Sequence, residues 1–592
     1  MVGNFSAGPD GDLEEFIHSI DRCFPVVTSR LGRLSTATKM KLGGLFIFNI
    51  HSVFRRTHRT ERNPENDQFE NSVLDWANAL FSSILSILQC SDEEVHALTS
   101  AFEMALPPNS FTGPGTCTVD AIITDISSVT DYEGQERGAF LQFVEKNHCL
   151  APVVPVVLLR DSVVLLILQC SSQNRIYNSR TREVLFAIAQ SISLAPDAIR
   201  YWEKSIGSLL HGCSHVSSST FSKPDKQGLS QKIKIGVGAL GGAVLLGVTG
   251  GLAFPVLASV ASGIGAALTG VGLGTVGAVF ATTSMVLGSV SVASAVAVFG
   301  ITGGSLVSYK LSNRFGDLNV HDFKFREISN QSTNEFKANE ALEIVICISG
   351  YLRSSKDYID PWKSLELSPV THPFALQWEK KNLASLGNVF VKLLSTELAT
   401  ALTNAYLQIS LGAVAGAVTL PISILSVMSD LDNILIVCEN RAKLAGQALA
   451  DIIRNPDSGA RPYTLIAFSV GATAVFSCLQ ALAETRQYFS VQNVILVGAT
   501  IPCTFLYEGQ RTPWQKARSV VSGRFVNVFS KKDMLLHVLC RYLQWTIQVA
   551  GVNEVSESGI ENFDVSDMIV KHSDYPSKID AILERVGYIH EK

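Results

Sequence analysis

The sequence has few charged residues and no excess of positive charge. Asp, Glu, Lys and Arg make up 17% of the 592 residues, and the formal net charge is −5. Ordinary soluble domains have about 25% charged residues. Proteins that bind nucleic acid neutralise phosphates with clustered Lys and Arg, so this balance argues against nucleic-acid binding. The chain is too long for one hydrophobic core, and about two to four structural units are expected.

Cysteine motifs and targeting signals are also missing. The 11 cysteines are scattered from Cys23 to Cys540 and include no C-x-x-C pair and no Cys/His cluster. This pattern favours reduced thiols in a cytosol-facing protein over a disulfide framework or a zinc site, and we expect neither a metal nor a cofactor. The first residues lack the charged and apolar segments of a signal peptide, and Gly3 is misplaced for N-myristoylation.

The most pronounced absence of charge lies in the middle of the chain. Residues 235–309 contain no Asp, Glu, Lys, Arg or His and are rich in Gly, Ala and Ser. A membrane crossing needs about 20 apolar helical residues, so segment 233–309 is predicted to form transmembrane or membrane-inserted helices. Basic residues flank both ends, which favours an even number of passes or hairpins with both ends in the cytosol. The alternative is a buried Gly/Ala-rich helical bundle in a soluble protein.

A second apolar stretch covers residues 398–429 and is interrupted by Pro421. It lies inside the segment that carries the candidate catalytic residues. A further membrane span, a re-entrant hairpin and a hydrophobic cap over the site are all compatible with its composition.

The N-terminal region, residues 1–212, is predicted to be mainly helical. Apolar residues recur at intervals of three and four over Leu13–Ile20, Asn71–Gln89 and Thr181–Ser193. Residues 151–170 are apolar around a central Arg-Asp pair, which favours two buried elements joined by a turn. Residues 213–232 are rich in Ser, Lys, Pro and Gly and are predicted to be a linker. No catalytic pattern occurs in this region.

The strongest catalytic pattern surrounds Ser469. The sequence YTLIAFSVGATAVFSCLQ combines an apolar run, a small-x-Ser-x-Gly turn and an apolar helical stretch. This is the pattern of a nucleophile elbow, in which small residues such as Ala467 and Gly471 let a strand and a helix pass closely. Ser469 is therefore the candidate nucleophile. The alternative is an ordinary serine in a turn between a strand and a helix.

An upstream strand suggests where an oxyanion would bind. The β-branched run EIVICI at Glu343–Ile348 is followed by a loop that contains Gly350. Hydrolases with a nucleophile elbow combine the N–H group after the nucleophile, here Val470, with one from such a loop. The backbone N–H groups of Gly350 and Tyr351 are the candidates for the second donor. A turn with no such role is the alternative.

The candidate acid follows another predicted strand. Val491–Gly498 and Gly523–Ser530 are apolar strand patterns, and Asp533 comes just after the second. Functional groups of open α/β sheets lie at this carboxyl edge, where a carboxylate orients a catalytic imidazole. The alternative for Asp533 is an N-cap of the helix that follows, and both roles are compatible.

Three histidines follow in the chain order Ser, Asp, His that this type of site requires. His537 lies one helical turn after Asp533, which favours a position on a helix face. His590 is close to the C-terminus. His572 precedes a terminal amphipathic helix on a predicted loop, and it is the candidate general base.

Several segments together resemble the transmembrane and coiled-coil domain-containing protein 4 family, a group of α/β-hydrolase-like membrane proteins. The matching stretches are collinear over about residues 230–590: GVTGGLAFPVLA (247–258), ISGYL (348–352), LQWEKKNLASLGN (376–388), LPISILSVMSDLDN (420–433), RPYTLIAFSVGATAVFSCLQ (461–480), VVSGRFVNVFSKKD (520–533) and HSDYPSKIDAIL (572–583). The resemblance implies a membrane-associated protein with a serine-hydrolase-like domain, and Ser469, Asp533 and His572 each lie in a matching stretch. The chain departs from the family in having Ala467 for glycine and Thr500 for proline.

The predicted architecture is an α/β-hydrolase domain with a mostly parallel sheet over residues 310–592, preceded by the Gly/Ala-rich segment and the helical N-terminal region. The predicted function is a membrane-associated serine esterase or lipase acting on an acyl ester, with a lipid favoured as substrate. We expect an intracellular membrane location, a cytosolic hydrolase domain and contact with the bilayer. The alternative is a catalytically silent hydrolase scaffold that recruits protein partners in membrane trafficking.

Overall fold

The protein is described from a computed structural model. The structure describes residues 34–57, 64–105, 323–328, 341–393, 422–455, 461–505, 511–542 and 548–589 with short gaps, most of 177–204, and isolated positions between 159 and 207 and at 404. Within these ranges the architecture is mixed α/β, with a helical N-terminal region and a mostly parallel seven-stranded sheet.

The described N-terminal part is helical. Its long helices are α1 (Thr36–Thr57), α2 (Pro64–Leu88), α3 (Asp92–Ala105) and α4 (Ser179–Ser191). On α2 the buried residues Val73, Trp76, Ala77 and Leu80 follow the spacing of one helix face. Helices predicted over 71–89 and 181–193 are confirmed, whereas the helix predicted over 13–20 and most of segment 151–170 lie outside the described residues.

Seven strands form one sheet. The strands are β1 (Lys324–Glu327), β2 (Glu343–Ile348), β3 (Thr371–Gln377), β4 (Tyr463–Phe468), β5 (Val491–Val497), β6 (Phe525–Phe529) and β7 (Ile560–Asp564). Their order across the sheet is β1-β3-β2-β4-β5-β6-β7. All neighbours are parallel except β1 and β3, which are antiparallel.

The central strands are buried on both faces. Every residue of β2, β4, β5 and β6 is buried, including the runs EIVICI, YTLIAF and VQNVILV. Parallel strands covered by helices on both sides need such nearly continuous apolar runs, because neither face meets water. The strands predicted from the apolar runs at 343–348, 491–498 and 523–530 are thus confirmed.

The order in which successive strands are added to the sheet reverses at β2. The chain passes from β2 to β3 on one side of the sheet, and β4 then pairs with the other side of β2. Strands β5, β6 and β7 follow outward from β4. The carboxyl ends of β2 and β4 therefore flank the switch point, which is where open α/β sheets bind their ligands.

Helices cover the sheet and complete the core. They are α5 (Lys380–Leu393), α6 (Ile422–Arg454), α7 (Val470–Glu484), α8 (Pro513–Arg518), α9 (Met534–Tyr542) and α10 (Tyr575–Arg585). Helix α6 packs against both α5 and α7. Apolar side chains of the strands and of these helices form one continuous core.

The predicted membrane segments fall mostly outside the described residues. Segment 233–309 and the linker 213–232 lie there entirely, as do residues 394–421 apart from Asn404. Residues 422–429, the end of the predicted hydrophobic insertion, form the start of α6. In the part of the chain that the structure describes, no helix has both the length and the apolarity for a membrane crossing.

The N-terminal region contacts the amino edge of the sheet through a buried ion cluster. Arg182 on α4 lies 2.6 Å from Glu203 and 3.0 Å from Glu343, the first residue of β2. Burial alone would raise the pKa of Glu343, but Arg182 and Arg200 hold it below its usual value. Helix α4 is thereby held at the edge of the sheet opposite the carboxyl ends of the strands.

Candidate active site

Ser469 occupies a strained turn between β4 and α7. Its backbone angles are φ 54° and ψ −131°, a region that residues with a Cβ rarely adopt and that costs about 1–3 kcal/mol. Its N–H group donates to the Val497 carbonyl at 2.9 Å, which ties the turn to β5. This is the backbone expected where a strand turns sharply into a helix and presents one residue at the edge of the sheet.

Small residues on both sides of Ser469 allow this close approach. A Cβ on Gly471 would lie 2.4 Å from the Ile348 carbonyl oxygen, so a larger residue would push α7 away from β2. Ala467 is fully buried in β4 and pairs with Ile348. The single methyl group at 467 is accommodated in the sheet.

His572 connects the candidate nucleophile and the candidate acid. It begins a short 3₁₀ helix, His572–Asp574, that runs directly into α10. Its Nε2 lies 2.8 Å from Ser469 Oγ and its Nδ1 lies 2.7 Å from Asp533 Oδ2. The imidazole therefore joins groups that follow β4 and β6. All three side chains are 0% exposed.

Asp533 has a different partner for each carboxylate oxygen. Oδ2 faces His572, while Oδ1 accepts a hydrogen bond from the Leu536 N–H at 3.1 Å. The second contact satisfies a backbone donor in the first turn of α9. Both arrangements that the sequence allowed for Asp533, helix cap and imidazole partner, are present together.

The other candidate histidines are placed differently. His537 lies on α9, and its Nε2 is 3.0 Å from the Lys531 carbonyl oxygen. Burial lowers the pKa of His537. His590 lies outside the described residues. Within the described ranges, the imidazole bonded to Ser469 is that of His572.

Three aromatic rings surround His572. The ring centroids of Phe390 and Tyr575 lie 5.3 Å from the imidazole, and that of Tyr351 lies at 5.7 Å. Tyr351 Oη donates to the His572 carbonyl at 3.0 Å. Burial raises the pKa of Tyr351, which keeps the phenol neutral. The sequence pattern marked only the backbone of Tyr351; its side chain also fixes the histidine segment.

The loop after β2 touches the turn at Ser469. A Cβ on Gly350 would lie 2.2 Å from the Phe468 carbonyl oxygen and 2.5 Å from the Val470 nitrogen. Only glycine fits this contact. The Leu352 N–H donates to Leu383 on α5 at 3.0 Å, which fixes the end of the loop. The structure thus brings Gly350, with Tyr351 beside it, next to Val470.

In the part of the chain that the structure describes, ionisable groups outside this site form no cluster suited to a metal. Among the described residues, no group of three or more His, Cys, Asp or Glu side chains is placed to hold an ion. The described cysteines are free thiols, namely Cys90, Cys347, Cys438, Cys478 and Cys503. Burial raises the pKa of Cys347, so it is a neutral thiol.

Fold and site together define a mixed α/β protein with a buried Ser–His–Asp hydrogen-bonded chain at the carboxyl edge of its sheet. Comparison with known families then places the chain more narrowly. It belongs to the family described as protein of unknown function (DUF726), whose model matches residues 228–589. The narrower resemblance to the transmembrane and coiled-coil domain-containing protein 4 family stays a prediction.

Three relatives illustrate the range of the similarity. The chain is 31% identical over 392 residues to the transmembrane and coiled-coil domain-containing protein STS1 of Oryza sativa, covering 63% of this chain and 56% of the relative. It is 31% identical over 463 residues to the uncharacterized membrane protein C6F6.13c of Schizosaccharomyces pombe, covering 76% and 74%. The probable lipase MIL1 of Saccharomyces cerevisiae is 31% identical over 290 residues, covering 48% and 25%. The chain thus spans little more than half of the rice relative and a quarter of MIL1.

Proposed function

We propose that the protein is a serine hydrolase of the esterase or lipase type. The observation that carries this proposal is the hydrogen-bonded chain from Ser469 through His572 to Asp533, with the serine on a strained turn. An imidazole bonded to a hydroxyl can accept its proton, and a carboxylate on the other ring nitrogen stabilises the imidazolium that forms. The same contacts favour catalysis over a silent scaffold.

The order of these groups along the sheet supports an α/β-hydrolase fold. Ser469 follows β4, Asp533 follows β6 and His572 follows β7, which gives the chain order Ser, Asp, His. Ser469 also stands beside the switch point between β2 and β4. We infer a hydrolase domain over residues 310–592, preceded by helical residues 1–212, a linker at 213–232 and membrane-inserted helices at 233–309.

The first half of the proposed reaction forms an acyl-enzyme. Ser469 Oγ bonds to the ester carbonyl carbon while its proton passes to His572 Nε2. The carbon–oxygen bond to the alcohol then breaks, and the leaving alkoxide takes that proton from His572. In the second half, water gives a proton to His572 Nε2 while its oxygen bonds to the acyl carbon. The bond between that carbon and Ser469 Oγ then breaks, Oγ takes the proton back from His572, and the acid is released.

Backbone donors beside Ser469 would stabilise the negative oxygen of each tetrahedral intermediate. We infer that the Val470 N–H supplies one donor and that the loop at Gly350 and Tyr351 supplies the other. The close contact between Gly350 and Val470 supports this assignment. Because the triad side chains have no exposed surface, water competes little for these hydrogen bonds.

A lipid ester at an intracellular membrane is the substrate that best fits the chain. The uncharged segment 235–309 has the composition of membrane-inserted helices. One relative is named a probable lipase, and others are named membrane proteins. We infer that segment 233–309 inserts in the bilayer as passes or hairpins, with the hydrolase domain on the cytosolic side.

A covalent probe tests the proposed nucleophile. The full-length protein in detergent should react with a fluorophosphonate, and peptide mapping should find the adduct on Ser469. The matched control is Ser522→Ala, which removes another buried hydroxyl, one bonded to the Val491 carbonyl at 3.2 Å. The proposal fails if the wild-type protein does not react, or if Ser469→Ala reacts as fast as Ser522→Ala.

A substrate comparison tests the lipid assignment separately. Hydrolysis of a long-chain glycerolipid in vesicles is compared with that of a short soluble ester at equal acyl concentration. We expect higher kcat/KM for the lipid, because its long acyl chain can be bound by apolar surface. Preference for the short ester would leave the nucleophile in place and overturn the lipid assignment.

A further inference from the structure

Ser349, the residue directly before Gly350, is held on two sides. Its Oγ donates to the Asp357 carbonyl at 3.0 Å and accepts from Trp362 Nε1 at 3.2 Å. Its backbone carbonyl accepts from Trp378 Nε1, also at 3.2 Å. Ser349 is 1% exposed, so these hydrogen bonds form away from water. The sequence pattern singled out Gly350 but gave no reason to select Ser349.

The two tryptophans are themselves firmly placed. Both Trp362 and Trp378 are fully buried. The Trp378 carbonyl accepts from Tyr358 Oη at 2.8 Å, and the Trp362 ring lies 5.6 Å from that of Phe468, the residue before Ser469. Two rigid indole donors from different parts of the fold therefore meet at one serine.

Because the Ser349 carbonyl is held in place, the Gly350 N–H of the proposed oxyanion site is held in place as well. The Ser349 C=O and the Gly350 N–H belong to one planar trans peptide and point in opposite directions. Because Trp378 holds the carbonyl, the direction of the Gly350 N–H is set as well. The Gly350 backbone is also closely packed, since a Cβ built on it would lie 2.2 Å from the Phe468 carbonyl oxygen and 2.5 Å from the Val470 nitrogen.

We propose that Ser349, held by Trp362 and Trp378, is a positioning residue that aims the Gly350 N–H at the oxyanion. This inference rests on the proposed hydrolase function. Ser349 does not touch the reacting atoms; it acts through the peptide that it shares with Gly350. Such a group should matter more for the transition state than for substrate binding, because charge on the carbonyl oxygen develops only during reaction.

The test compares Ser349→Ala with Ser522→Ala in the full-length protein. Both changes delete a buried hydroxyl that donates to a backbone carbonyl, but Ser522 lies at the amino edge of the sheet. The readouts are kcat, KM and the second-order rate of fluorophosphonate labelling, measured below the unfolding transition of both variants. A loss of stability alone would lower the amount of active protein, so activity toward all substrates would fall by the same factor. Such a loss would not depend on which edge of the sheet carries the substitution.

We expect Ser349→Ala to lower kcat and the labelling rate about 10- to 100-fold, with KM within about twofold of wild type. Ser522→Ala should stay within about twofold of wild type in all three. Trp378→Phe, which removes the donor to the Ser349 carbonyl, should reproduce the fall in kcat. Equal kcat per active site in Ser349→Ala and Ser522→Ala would overturn the proposal.

If Ser349→Ala does not fold, Ser349→Cys keeps the shape with a weaker donor and acceptor, and an unchanged kcat in that folded variant would also overturn the proposal. A wild-type protein that neither labels nor hydrolyses esters would reject the proposed function, and this inference with it. A wild-type protein that labels normally, beside a fully active Ser349→Ala, would reject the inference alone.

Discussion

Asp533 holds the imidazole of His572 with one carboxylate oxygen, at 2.7 Å, and caps its own helix with the other. The two contacts use different atoms, so a substitution can separate them. Asparagine keeps an oxygen for the Leu536 N–H but presents an amide group to Nδ1. That amide favours the wrong imidazole tautomer, because it offers N–H where an acceptor is needed.

Asp533→Asn should lower kcat about 10⁴-fold while the melting temperature changes little. Asp533→Ala should be equally inactive and also lose about 1 kcal/mol of stability, since the helix cap is gone. Ester hydrolysis and thermal melts of both variants provide the measurements. Retention of more than about a tenth of wild-type activity in Asp533→Asn would show that the carboxylate does not serve catalysis.

His572 and His537 give a matched comparison of two partly or fully buried histidines. His572→Ala removes the group bonded to Ser469 and should reduce turnover by at least about 10³-fold. His537→Ala removes a ring bonded to the Lys531 carbonyl, and its kcat should stay within a few-fold of wild type. If His537→Ala instead lost far more activity than His572→Ala in a steady-state assay, His572 would not be the general base.

Sequence patterns predicted the central strands because β2, β4 and β5 consist mostly of apolar residues. They also marked Ser469 through its small neighbours, and Asp533 and His572 through their order. The contacts of Ser349 with Trp378 and of Arg182 with Glu343 were not predictable. Each joins residues far apart in the chain by a hydrogen bond or ion pair that has no local pattern. The β2 pattern located a loop near the site, but the tryptophans that fix the loop are visible only in the fold.

Gly350 should not tolerate a methyl group. The added Cβ would lie 2.2 Å from the Phe468 carbonyl oxygen and would force the loop away from the turn at Ser469. Gly350→Ala should therefore reduce labelling of Ser469 by at least about 100-fold. Gly44→Ala in α1 is the control, because a Cβ at this position would meet nothing within 4 Å. Replacing this helical glycine by alanine should add about 1 kcal/mol of stability. Equal labelling rates in the two variants would contradict the close contact.

Tyr351 and Tyr575 differ in what their hydroxyl groups contact. Tyr351 Oη donates to the His572 carbonyl, whereas Tyr575 Oη is buried and has no hydrogen-bond partner among the described residues. Tyr351→Phe should lose about 1 kcal/mol, which lowers the melting temperature by about 2–4 °C. Tyr575→Phe should be neutral or stabilising, because a buried unsatisfied hydroxyl costs free energy. The melting temperatures of both variants are compared at one scan rate. A larger loss of stability in Tyr575→Phe than in Tyr351→Phe would refute the assigned contacts.

The ion pair between Arg182 and Glu343 predicts a specific dependence of stability on pH. The pKa of Glu343 lies below its ordinary value of 4.5, because Arg182 and Arg200 outweigh the effect of burial. The folded state therefore favours the charged carboxylate. Its contribution is fully present above pH 4.5 and is lost as the pH falls through the lower folded-state pKa.

Glu343→Gln should be about 3 kcal/mol less stable than wild type at pH 7, since Arg182 loses a buried partner. The difference should shrink as the pH falls below 4.5, because the wild-type carboxylate then also becomes neutral. Other carboxylates with lowered pKa values, such as Glu327, Asp564 and Asp567, are common to both proteins and cancel in the comparison. Denaturant unfolding of both proteins from pH 7 to pH 3 measures the difference. Parallel stability curves across this range would show that Glu343 is not held charged by Arg182.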